Sequence, residues 1–378
     1  MAENASATMR AAIYHGPRDI RIEDVPAPSP GSGELLVEVG VAGICGTDAH
    51  EYAAGPVMFP IDREHPVTGH RGPLIPGHEF AGRVVGVGDG GDPAWMGCDV
   101  AVGGGYGCEA CRYCRERRPN LCADYAAVGL HRHGGLAQYA AVPGIACEDA
   151  STFDLPADFA ALGQPAAIAM HALRRGRVDP GEHVAVVGVG GIGAFLVPAL
   201  VRAGARVSVF DRDRERLAIA DELGAHELLE VRANDDIGER IRELPATPDA
   251  VFEITGVGPV LDAILRAAVP GVRIVVVGLH DGQAAVAFRP ISLREQELLG
   301  TNALVREVDL PAALDLLAQP DLAWDRVAPV VLGLDELVED GLEPLASGRA
   351  QRIKTLIDPW ARERRAFGAT PTTRKAAA

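Results

Sequence analysis

The stretch "HVAVVGVGGIGAFLVPALVRAGARVSVFDRDRERL", His183 to Leu217, decides how this chain of 378 residues folds. A short apolar run leads into Gly188, Gly190 and Gly193, a G-x-G-x-x-G pattern. A helical stretch follows, and then a second apolar run, "RVSVF", ends at Asp211. The first glycine suits a tight turn, the second lets a backbone approach a pyrophosphate, and the third allows close helix–strand packing. The phosphate would meet unpaired N–H groups at the helix start, with Gly191 and Ile192 in the turn. Glycines cluster cheaply, as "GVGDGG" at Gly86 to Gly91 shows, so the context carries the argument. Here Asp211 stands 18 residues beyond Gly193. Its carboxylate suits a ribose 2′-hydroxyl and repels a 2′-phosphate, which favours NAD over NADP. Arg212, with Arg214 and Arg216 beyond it, would tolerate some phosphate. Pro198 lies past the first turn of the helix and should kink it or cost a hydrogen bond.

Strands alternate with helices from about Pro165 onward, including "DAVFEITG" and "RIVVVGLH", which predicts a doubly wound parallel sheet. The first 150 or so residues differ: "ELLVEVGVAG" and "FAGRVVGVGDG" are β-branched runs between Gly/Pro turns, as in a barrel or sandwich. The expected division is an α/β chain with a β-barrel domain over 1–160, a dinucleotide domain over 161–300, and a return to the first domain over 301–378. The stretch "ARERRAFGATPTTRKAAA" reads as a loose basic tail.

Net charge is −16, which argues against nucleic acid or an anionic membrane surface as a partner. The N-terminal residues lack an apolar targeting core and no run of 18 apolar residues occurs, so the expectation is a soluble cytoplasmic protein. Seven unevenly spaced cysteines make a poor disulfide framework.

Four of them, Cys108, Cys111, Cys114 and Cys122 in "CEACRYCRERRPNLC", can close a tetrahedral thiolate shell around Zn²⁺ and leave no open position. An iron–sulfur run would carry proline after its fourth cysteine, where Ala123 stands. A second constellation joins Cys45 of "GICGTDAHEY" to His78 and Glu79 of "PGHEF". Thiolate, imidazole and carboxylate are common catalytic zinc ligands, and three of them leave a position for substrate. Thr47 can relay a proton, Asp48 can orient His78, and His50 can pass a proton to solvent. His65, His70, His131 and His133 have no such context.

Together these motifs resemble the zinc-dependent medium-chain alcohol dehydrogenases over roughly residues 9–359. The insert "AAGPVMFPIDREHPVTGHRGPLI" is most similar to that of 2,3-butanediol dehydrogenases, with sorbitol and threonine dehydrogenases as close relatives. The resemblance implies a GroES-like catalytic domain, a Rossmann domain and an active-site cleft between them. It also implies two zinc ions per chain: Cys45, His78 and Glu79 match the catalytic site, and the four-cysteine lobe the structural one. Thr47 and His50 match the proton relay, and a homodimer or homotetramer is expected. Where polyol-type relatives read Glu-Pro, this chain reads Gln164-Pro165. That position ligates zinc or holds its water in different relatives, so Glu79 or Gln164 completes the shell. The implied reaction is hydride transfer between NAD(H) and a secondary alcohol or ketone, with a vicinal diol, hydroxyketone or polyol as the substrate class that the resemblance implies. Some glucose dehydrogenases carry Gln at this position, which keeps sugar or cyclitol oxidation as the alternative. A zinc-free reductase would lack both cysteine sites, and only Gln164 speaks for a non-catalytic protein.

Overall fold

A computed structural model describes residues 8–267, 269–280, 286 and 288–369. The chain forms two compact units, Met1–Ala167 with Leu304–Gln319 and Trp324–Ala378, and Ile168–Ala303 with Pro320–Ala323.

The first unit opens with a hairpin of β1 (Thr8–Gly16) and β2 (Asp19–Pro26). Next come β3 (Glu34–Gly43), β4 (Glu79–Val87) and β5 (Asp99–Val102), an antiparallel run. The short strands β6 (Gly105–Tyr106) and β7 (Ala126–Ala127) pair on either side of the four-cysteine segment. β8 (Tyr139–Pro143) then pairs with β3, and β9 (Cys147–Asp149) with β5. Alternation along β3 turns Leu35, Val37 and Val39 inward, while Glu34, Leu36 and Glu38 stay partly open. They pack with Phe80, Val84, Val100, Leu136 and Val142 in one apolar core.

The second unit is built on β10 (His183–Val187), β11 (Arg206–Asp211), β12 (Glu227–Glu230), β13 (Ala250–Glu253), β14 (Arg273–Val276) and β15 (Glu297–Gly300). All pair in parallel, in the order β12-β11-β10-β13-β14-β15. Every residue of β10 is buried, as a strand covered on both faces requires. The order reverses between β10 and β13, the switch point outside which doubly wound sheets bind ligands. The helix Gly193–Arg202 continues through Pro198, which lacks an N–H to give the preceding turn.

The chain returns to the first sheet as β16 (Val330–Gly333), β17 (Leu356–Asp358) and β18 (Arg365–Ala366). β17 lies between β16 and β3, with Leu356 opposite Gly43. The loose-tail expectation is corrected over 361–369. β18 pairs with β16, and Arg365 holds Asp158 through two 2.6 Å hydrogen bonds from its guanidinium. Two parallel charge-assisted bonds fix the segment despite its polar composition. Residues 370–378 of that stretch lie outside the described residues. No helix among the described residues is long and apolar enough to cross a membrane.

Candidate active site and metal centres

β3 and β4 run antiparallel with Gly43 opposite Glu79, which brings Cys45, just past one strand, beside His78, just before the other. A Cβ at Gly43 would stand 2.5 Å from Glu79 Oε2, so the glycine makes room for the carboxylate. Cys45 caps the helix Gly46–Ala54 and gives its N–H to Asp48 Oδ2 at 2.9 Å. The donor atoms of Cys45, His78 and Glu79 lie within 4.8 Å of one another. His78 Nδ1 faces Asp48 Oδ1 at 3.5 Å, which leaves Nε2 as the nitrogen for a ligand. Thr47 Oγ1 is 3.8 Å from Cys45 Sγ, and His50 is exposed on the same helix.

Sequence reading missed Lys354. Its Nζ donates to Glu79 Oε2 and, at 3.0 Å, to the Ile44 carbonyl, with both side chains almost wholly buried. Burial alone would lower the ammonium pKa, but the carboxylate of Glu79, then Cys45 and Asp48, outweigh it and raise the value above 10.5. His78 behaves alike: burial lowers its pKa, yet Asp48 and Cys45 bring it well above 6.5. The field at this spot favours positive charge.

Glu79 Oε1 is buried and has no hydrogen-bond partner, and neither do Asp48 Oδ1 or Gln164 Oε1. An orphaned buried carboxylate oxygen is costly unless a cation satisfies it. Thiol, imidazole and this free oxygen together fit a zinc ion with one position open. Gln164 is the second residue of the helix Gly163–Gly176 and is buried.

In the cysteine lobe, Cys111 Sγ lies 3.6 Å from Cys114 Sγ and 3.7 Å from Cys122 Sγ. A tetrahedral site with Zn–S near ~2.3 Å sets its sulfurs about 3.8 Å apart. The N–H groups of Cys108 and Cys111 donate to Cys122 Sγ at 3.4 Å and Cys108 Sγ at 3.3 Å. A Cβ at Gly107 would fall 2.7 Å from Cys114 Sγ. All seven cysteines are free, and these four form a second group able to hold a metal.

In the second unit a cavity of about 400 Å³ opens at the glycine turn, lined by Gly188, Gly190, Asp211, Arg212, Arg216 and Thr255 among others. Gly188 has φ +101°, which only glycine adopts readily. A Cβ on Gly193 would sit 2.3 Å from the Gly188 carbonyl, whereas Gly190 faces open space. Gly191 and Ile192 form the turn into the helix. Asp211 accepts Val189 N–H at 2.7 Å through Oδ2 and Asp213 N–H at 2.9 Å through Oδ1, which fixes its carboxylate. Of the three arginines beyond it, Arg212 and Arg216 line the cavity, and Arg214 pairs with Glu230 at 2.9 Å.

Residues 31–150 match the family described as "Alcohol dehydrogenase GroES-like domain" and residues 191–319 that described as "Zinc-binding dehydrogenase". The chain is 31% identical over 357 residues to (R,R)-butanediol dehydrogenase of Bacillus subtilis (strain 168), covering 93% of this chain and 100% of the relative. The crystal structure of the Bacillus subtilis 2R,3R-butanediol dehydrogenase matches with a TM-score of 0.84 at 30% identity, over 93% of this chain and 99% of that one. Sorbitol dehydrogenase of Arabidopsis thaliana is 30% identical, over 92% of this chain and 94% of the relative. A zinc-binding dehydrogenase of Sinorhizobium meliloti 1021, solved bound to NADP, matches with a TM-score of 0.82 at 29% identity, over 93% of this chain and 100% of that one. An α/β architecture with a parallel sheet opening on a glycine turn, and two thiol-bearing groups able to hold a metal, define the class. The chain belongs to the zinc-binding alcohol dehydrogenases, enzymes built from a GroES-like domain and a Rossmann domain.

Proposed function

We propose that this protein interconverts a secondary alcohol and its ketone with NAD(H), acting on a vicinal diol, hydroxyketone or polyol. The observation that carries the reading is the clustered set of half-buried Cys45 with buried His78 and Glu79, whose Glu79 Oε1 lacks a partner, in a chain that also holds an open glycine turn. The butanediol and sorbitol dehydrogenases it resembles support the substrate class.

In this reading Cys45, His78 and Glu79 hold the catalytic zinc, which when bound acts as a Lewis acid and lowers the pKa of the alcohol. Asp48 orients the His78 ring through Nδ1. Thr47 would relay the hydroxyl proton toward His50 and solvent, and a bound nicotinamide would supply the hydride acceptor. Gln164 offers its amide to the substrate oxygen. Asp211 accepts from the adenosine ribose, and Cys108, Cys111, Cys114 and Cys122 hold the structural zinc. The catalytic domain comprises 1–160 and 301–378, and the cofactor domain 161–300. A homo-oligomer, dimer or tetramer, is supported by β15, an edge strand among the described residues, with Phe288, Leu293 and Leu298 exposed near it in sequence.

The test is zinc analysis joined to NADH turnover with 2,3-butanediol, acetoin, sorbitol, glucose, threonine and cyclitols. Two zinc ions per chain and fastest turnover of a vicinal diol are expected. Cys111→Ser should lose the lobe zinc and much stability, and Cys45→Ser activity alone. A fully zinc-loaded protein that turns over none of these compounds would sink the reading. Fastest turnover of glucose or a cyclitol would instead favour the sugar reading that Gln164 suggests.

A further inference from the structure

Glu253 ends β13 with its side chain completely buried. Its Oε1 accepts the N–H of Thr255 at 2.7 Å, the N–H of Gly256 at 3.1 Å and the Thr255 hydroxyl. Its Oε2 takes His280 Nε2 at 2.8 Å. The Glu253 carbonyl meanwhile receives the N–H groups of Val277 and Gly278 at 2.8 and 3.0 Å. One residue therefore ties the loop after β13 to the loop after β14.

The two loops touch so closely that side chains are excluded. A Cβ on Gly278 would lie 2.2 Å from Gly256 N, and one on Gly256 2.4 Å from the Leu279 carbonyl. Thr255 also packs against Gly188, where a Cβ would meet its methyl at 3.1 Å, and it lines the cofactor cavity. His280 is left with an asymmetry. Its Nε2 serves Glu253, but its Nδ1 is buried without a hydrogen-bond partner. A buried polar atom left unpaired calls for a ligand. With Nε2–H donated to a carboxylate, Nδ1 of the neutral ring is an acceptor.

The sheet order says which ligand group meets it. β10 to β12 form one mononucleotide-binding half and end at Asp211, the adenosine side. β13 to β15 form the other half, so residues 277–280 beyond β14 belong to the side that takes the nicotinamide nucleotide, which offers a carboxamide NH₂ and ribose hydroxyls as donors. We propose that His280 Nδ1 accepts a hydrogen bond from the nicotinamide nucleotide of the cofactor, with Glu253 as the positioning residue that fixes the ring. This inference rests on the dinucleotide-dependent reading above.

The test uses the full-length, zinc-loaded protein and compares dissociation constants for NADH and for ADP-ribose, which lacks the nicotinamide. His280→Ala should weaken NADH about tenfold, as loss of one hydrogen bond does, and leave ADP-ribose unchanged. Asn places an amide oxygen where Nδ1 stood, and Gln places its amide where Nε2 stood. His280→Asn should therefore recover most of the NADH affinity, and His280→Gln should not. Unchanged NADH binding in His280→Ala, equal loss of both ligands, or better rescue by Gln would each overturn the assignment. Failure of the unmodified protein to bind NADH or NADPH would overturn the dinucleotide reading itself.

Discussion

Lys354 Nζ is bonded to Glu79 Oε2 across 275 positions of sequence, so the only carboxylate of the candidate catalytic set is held from behind by a buried cation. Removing one partner of a buried pair costs about 3–5 kcal/mol, because the other charge is left uncompensated. Lys354→Met should thus destabilise the protein strongly after chelation. It should do so less when zinc is loaded, since the metal neutralises Glu79 from the Oε1 side. Thermal unfolding with and without chelator measures the gap, and equal losses would place Glu79 away from the metal.

Gln164 and Glu79 both present a buried oxygen with no partner. If Glu79 is the resting ligand, Glu79→Gln should cost more zinc than Gln164→Ala. Outer-shell changes cost about 10–100-fold in metal affinity, which sets the ceiling for Gln164→Ala. Zinc content after dialysis ranks the two variants. The opposite order would put Gln164 in the shell.

Asp211 is fixed by two backbone N–H groups beside Arg212 and Arg216. Asp211→Asn keeps the shape but removes the charge that repels a 2′-phosphate. The preference for NAD over NADP in kcat/KM should fall roughly 10–100-fold, a few kcal/mol of like-charge repulsion. Equal use of both cofactors by the unmodified enzyme would show that the arginines already dominate.

Four histidines with no role in sequence meet in pairs, His65 stacked on His131 with ring centroids 4.4 Å apart and His70 edge-on to His133 at 4.7 Å. The His131 Nδ1 accepts the Ala127 N–H at 3.1 Å, and burial with His65 pushes the ring down to about 4. His133 is pushed down likewise, by burial and then by His70 and Arg132. A folded-state pKa below the unfolded 6.5 means that the unfolded chain takes up protons first as pH falls. Stability should therefore drop between pH 6.5 and 4. His131→Asn, which keeps an acceptor for Ala127, should flatten this slope by on the order of 1–2 kcal/mol after allowance for solvent screening. Parallel slopes for both proteins in urea unfolding would exclude the pair as the cause.

The parts legible in sequence are those whose chemistry is local. The glycine turn, the Cys108 to Cys122 spacing and the strand–helix alternation each lie within one short stretch, where steric demands leave a readable trace. Cys45 with His78 was legible because each has a distinctive neighbourhood, although β3 and β4 had to bring them together. Lys354 and the His280–Glu253 pair were not, because no spacing links residues joined only by tertiary contact. One trace did exist: the chain has 34 arginines and only two lysines, and Lys354 is one of the two. A guanidinium is planar and bulky, whereas an ammonium is a compact point charge that fits between a carboxylate and a carbonyl. The basic stretch after Trp360 was misread for the opposite reason, since composition signals solvent exposure and misses the acid that Asp158 supplies.

β17 closes onto Gly43 of β3 and carries Lys354 in just ahead of it. On the ribosome the second unit, nearly continuous from Ile168 to Ala303, can collapse as it emerges. The first unit has to wait, with one edge of the end of β3 open and Glu79 without its counter-cation until Lys354 and β17 are translated. Under the proposed zinc assignment, the Cys45, His78 and Glu79 site reaches its final charge balance only at the last stage of synthesis, whereas the segment from Cys108 to Cys122 is complete early. Metal uptake by nascent chains halted before and after Lys354 would reveal that order.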